Sequence, residues 1–89
     1  MILYYMVKNN DANYICLFYT HSGAIKFTNI INAENISYKI LPTPRKLSSN
    51  CGISVEFCYD KDINPFIISD IEKVFLINDR NYELIYENE

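Results

Sequence analysis

The chain has 89 residues, 49% of them apolar and 21% charged, with only two glycines and three prolines. That composition belongs to one small globular domain, which buries about 60–65% of its unfolded surface and has no room for a second. A net charge of −3 lacks the basic footprint of a nucleic-acid binder, and no apolar run reaches the ~20 residues of a membrane-spanning helix.

Residues 1–12 read as an N-terminal extension, with a short edge strand over Ile2 to Val7 before the turn-like Asn9-Asn10-Asp11. No basic residue precedes the short apolar run after Met1, so no secretory signal is expected. Residues 13–89 read as the single folded domain. Within it, Tyr14-Ile15-Cys16-Leu17-Phe18-Tyr19 is β-prone and apolar on both faces, the pattern of a central strand. Thr20 or Ser22 can cap a helix whose apolar positions Ala24, Phe27, Ile30 and Ile31 follow helical spacing, and Asn35 suits a left-handed stop. Ile36 to Ile40 alternates as a strand with one wet face, and Pro42 and Pro44 end it.

Ile53, Val55 and Phe57 alternate with Ser54, Glu56 and Cys58 in a third strand. A second helix is expected next. It starts either at Asn64-Pro65 or at the capping box Ser69-Asp70-Ile71-Glu72, with Ile67, Ile71, Val74 and Phe75 as its stripe. Asn78-Asp79 ends that helix, and Tyr82 to Tyr86 forms the last strand. The order β-α-β-β-α-β predicts an α+β, ferredoxin-like sandwich: a four-stranded antiparallel sheet with two helices on one face. Many unrelated functions share that fold, so function must come from a site.

The segment that stands apart is the loop from Leu41 to Gly52, which is long for so small a domain and presents Cys51-Gly52 at the mouth of a strand. A cysteine reacts as its thiolate, and nearby cations lower the thiol pKa from about 8.5. Arg45 and Lys46 supply two cations shortly before Cys51, with Ser48, Ser49 and Asn50 between as hydrogen-bond donors. Gly52 would let a partner chain approach closely. The plain alternative is a small buried hydrophobe in a solvated connection.

The run Pro42-Thr43-Pro44-Arg45-Lys46-Leu47-Ser48-Ser49-Asn50-Cys51-Gly52-Ile53 closely resembles the signature of the selenium/sulfur carrier-protein-like family. The aromatic-rich strand ending at Phe18, the hydroxyl of Thr20 and the early Ala24 are also similar, so the resemblance covers about residues 14–86. Where the family's helix usually has a glutamate, this chain has Thr28. The resemblance implies a small carrier in which Cys51 accepts sulfur or selenium as a persulfide or selenosulfide. Arg45 would be its electrostatic partner, and Ser48, Ser49 and Gly52 would shape the pocket. It implies a cysteine desulfurase or another sulfur- or selenium-transfer protein as partner. Such a carrier shuttles stoichiometrically and is not a standalone enzyme.

The other residues carry plainer expectations. Three cysteines without an export signal suit a reducing, cytoplasmic setting. Cys16 fits core packing. Cys58 lies seven strand steps from Cys51, roughly 23 Å, too far for a disulfide. Those cysteines and the single His21 lack metal-ligand spacing, so neither metal nor cofactor is expected. His21 reads as a polar residue in the first helical turn that the loop could still reach. The eight tyrosines suit sheet faces better than base stacking in an acidic chain. The alternative function is a noncatalytic module binding an anion or a protein through the same loop, and a third is a redox sensor at Cys51.

Overall fold

β1 (Ala12–Phe18) is the strand on which the rest is laid. Ile15 to Phe18 are buried on both faces, as their unbroken apolar run requires of a central strand. The computed structural model describes residues 12–47 and 51–89. The elements that follow are α1 (His21–Ala33), β2 (Tyr38–Pro42), β3 (Ile53–Tyr59), a single 3-10 turn (Asn64–Phe66), β4 (Ile71–Asn78) and β5 (Asn81–Glu87). The strands form one antiparallel sheet in the order β2-β3-β1-β4-β5. The edge strand expected over Ile2 to Val7 lies outside the described residues, and β1 opens at Ala12, one residue before the expected domain start.

α1 is set by its ends. Thr20 is the N-cap, extended at φ −140°, and its Oγ1 accepts the Gly23 N–H at 3.0 Å. At the other end Asn35 turns left-handed at φ 61°. The Ile36 and Asn35 N–H groups donate back to Ile31 O and Asn32 O, each at 3.0 Å, which closes a Schellman motif over the buried pair Ile31 and Ile36. The helix lays Ala24, Phe27 and Ile31 on the face of the sheet that carries Phe18, Val55 and Phe57. Phe27 sits between Phe18 and Phe57, with ring centroids 5.5 Å from each.

The second half departs from expectation. Among the described residues there are five strands in the sheet and one α-helix, not four strands and two helices. The segment read as a second helix is a 3-10 turn at Asn64–Phe66 followed by strand β4. The turn carries Pro65 in its first positions, and Ile67 is already extended at ψ 109°. Phe66 plugs into the core, edge-on to Tyr59 at 5.4 Å, while Ile63, Ile67 and Ile68 pack beside it. This short connection therefore covers the sheet where a helix was expected.

The false helical stripe has a structural cause. Phe18 pairs with Ile71 but Leu17 pairs with Lys73, so Glu72 is an extra, bulged residue in β4. The bulge returns Ile71 and Val74, three apart, to one face of a strand, which imitates helical spacing. Asn88 holds the bulge: its N–H donates to Glu72 O at 3.0 Å, and its Nδ2 donates to Ser69 O and Ile71 O at 3.1 and 3.2 Å. The last strand is longer than expected and pairs with β4 through a tight hairpin in which Asp79 takes φ 59°.

Candidate functional site at the Cys51 turn

The β2–β3 hairpin brings Cys51 to the N-terminus of α1. Beyond the last paired residues, Pro42 and Ile53, the Thr43 N–H donates to Gly52 O at 3.0 Å and carries the ladder one step further. The chain then turns at Pro44-Arg45-Lys46-Leu47, where the Leu47 N–H donates to Pro44 O at 2.9 Å. Arg45 and Lys46 are the exposed corners of that turn. Among the described residues the ion pairs are Lys26–Asp70 and Lys39–Glu56, and neither involves Arg45 or Lys46. Ser48 and Ser49 lie outside the described residues.

Cys51 is half-buried, its side chain packed against the hydrophobic cluster under α1. Two hydrogen bonds help to hold it. Its Sγ donates to Ile53 O at 3.2 Å, and its own carbonyl accepts Nε2–H of His21 at 2.7 Å. Gly52 takes φ +78°, a conformation that L side chains rarely adopt, yet among the described residues a Cβ there would meet nothing within 4 Å. Within the chain the glycine serves the backbone turn.

On the other flank of the helix N-terminus stands Asp70. Its carbonyl accepts the Tyr19 N–H at 3.4 Å and its carboxylate pairs with Lys26 Nζ at 3.4 Å. It comes so close that a Cβ on Gly23 would lie 2.8 Å from Asp70 Cβ. His21 and Asp70 thereby clasp the first turn of α1 between the Cys51 turn and the start of β4.

The remaining thiols sit apart from the site. Cys16 faces the core in β1, where burial pushes its thiol far above the usual range. Cys58 is exposed at the far end of β3 on the helix-free face. Tyr14 is raised from its ordinary value chiefly by burial, then by the charges of Asp62 and Cys58. No three His, Cys, Asp or Glu side chains among the described residues group as a metal site. No helix among them is long and apolar enough to cross a membrane.

The structure therefore joins Cys51 and Gly52, both read from the motif, to His21, whose role the sequence left open. It puts Arg45 and Lys46 on the solvent side of the same hairpin end. The Ile53 carbonyl and the Thr43–Gly52 tie are backbone features that no residue type announces. His21 carries only one faint sequence signal, its place directly after the capping threonine.

A family model described as "Putative Se/S carrier protein-like" matches residues 13–85, most of the chain. The chain belongs to that family. No curated protein and no solved structure matches it.

Proposed function

We propose that this chain is a sulfur or selenium carrier in which Cys51 holds the transferred atom. The observation that carries the reading is the place of Cys51, half-buried at the solvent end of the β2–β3 hairpin in a chain of this family. A donor such as a cysteine desulfurase presents a persulfide, R–S–SH. The Cys51 thiolate attacks the terminal sulfur, forming Cys51–S–SH as the donor S–S bond breaks and R–S⁻ leaves with the electron pair. An acceptor nucleophile then attacks that same sulfur, taking it as Nu–SH and returning the Cys51 thiolate. Each step conserves electrons and needs no external oxidant. A selenium atom would follow the same path as Cys51–S–SeH. The protein ends as it began but acts once per encounter, so it shuttles stoichiometrically. Its partners are transfer proteins of a reducing, cytoplasmic setting.

In this reading Gly52 shapes the turn, and Ser48 and Ser49 offer hydroxyls to the cargo. Arg45 and Lys46 present positive charge to an incoming donor. The test is intact-mass spectrometry of reduced protein after exposure to a cysteine desulfurase, with cysteine and then with selenocysteine. A single sulfur or selenium added to the wild type, absent from Cys51→Ser and removed by reductant, is expected. No adduct on the wild type overturns the reading.

One observation favours a second reading, a noncatalytic module that binds an anion or a protein surface. Arg45 and Lys46 project from the turn without an ion-pair partner among the described residues. Such a module would survive Cys51→Ser and fail on Arg45→Ala.

A further inference from the structure

We infer that His21 is a latch that holds Cys51 in a closed position against the helix N-terminus, and that the thiol is engaged only when this latch opens. The purpose of the latch rests on reading Cys51 as the carrier thiol; its existence rests on geometry alone. The His21 contact spans 30 residues of sequence at 2.7 Å. A carbonyl only accepts, so Nε2 carries the hydrogen, which the neutral Nε2–H tautomer and the imidazolium both supply. The latch therefore closes in either charge state.

The sulfur is held from the other side. In donating to Ile53 O it bears its hydrogen, while its side chain lies against the hydrophobic cluster. A thiolate cannot donate, and a carbonyl oxygen repels it, so the sulfur must leave Ile53 before it attacks anything. Gly52 provides the joint for that movement. Its carbonyl is tied to Thr43, its φ is left-handed, and a Cβ built on it would meet none of the described residues within 4 Å. Cys51 can swing about this joint without disturbing β3, whose ladder begins at Ile53. His21 opposes the swing by holding the carbonyl on the near side of the joint.

Iodoacetamide alkylation of the intact chain tests this, with each cysteine quantified by peptide mass spectrometry in the wild type, His21→Ala and His21→Gln. Cys58, exposed at the other end of β3, is the internal reference, and buried Cys16 reports global opening. In His21→Ala, Cys51 should react about three- to tenfold faster relative to Cys58, the factor that one ordinary hydrogen bond is worth. His21→Gln, whose amide N–H reaches the same carbonyl, should return close to the wild-type ratio. An unchanged or slower Cys51 in His21→Ala overturns the latch. So does equal acceleration in both variants, or acceleration of all three thiols together. No donor enzyme takes part, so the latch is judged even if Cys51 takes up no sulfur. Loading of sulfur with unchanged alkylation in His21→Ala would remove the latch and leave the carrier reading standing.

Discussion

Three cysteines of one sequence occupy three different environments, and the difference is testable at Cys16. Its thiol is fully buried, and desolvation raises it well above the ordinary thiol range. A group that keeps its proton longer in the folded state favours folding fully below its unfolded pKa and loses that contribution as pH rises above it. Cys16 should therefore cost the domain about 1.4 kcal/mol between about pH 8 and pH 10. Urea midpoints should show this fall in the wild type and its absence in Cys16→Ala. The two glycines make a second pair of residue-scale cases. Gly52→Ala meets no described residue, so its expected cost is that of the left-handed backbone, about 1 kcal/mol. Gly23→Ala would gain up to ~1 kcal/mol of helix propensity, but its Cβ meets Asp70 Cβ at 2.8 Å. Overpacking of that kind costs about 1–3 kcal/mol, so the net effect should be destabilising. Denaturation of both variants, with Gly23→Ala repeated on Asp70→Gly, checks the assignment. Removing the opposing Cβ should turn Gly23→Ala neutral or stabilising.

At the scale of elements, the first half of the chain was legible because each signal there is local. Thr20 caps α1, Asn35 stops it, and the alternation of Ile53, Val55 and Phe57 marks β3, all where the sequence places them. β2 sits slightly later than expected, at Tyr38–Pro42, because the Schellman turn draws Ile36 into the core. β4 carries a helical pattern in its sequence for a definite reason. A strand with a bulge at Glu72 does not alternate, and its apolar residues fall into helical intervals. Its composition favoured the strand: Ile71, Val74, Phe75 and Ile77 are β-branched or aromatic. Arbitration by residue type, with Pro65 and the Ile67-Ile68 pair as helix-unfriendly neighbours, would have found β4. A second bulge, at Ile85 of β5, interrupts the outer edge of the sheet in the way that natural edges discourage unwanted pairing.

Across the whole molecule, the site is assembled from two regions that the sequence keeps far apart. The motif around Cys51 was legible as a run of residues. Its seat beneath α1 was not, since it follows from strand order: β3 lies beside β1, whose end leads straight into His21. The carbonyls of Cys51 and Ile53 that fix the thiol carry no side-chain signature at all. On the carrier reading proposed above, placing the sulfur at the margin of the hydrophobic cluster also couples cargo to heat. One added atom must either crowd the apolar neighbours or drag the side chain into water. Either way the laden form is the weaker one, by about 1 kcal/mol, which for a domain of this size lowers the melting point by roughly 4–8 °C. Calorimetry of empty and laden protein should resolve two transitions, the empty form melting later. A thermometer would then count how many molecules in a sample are carrying anything.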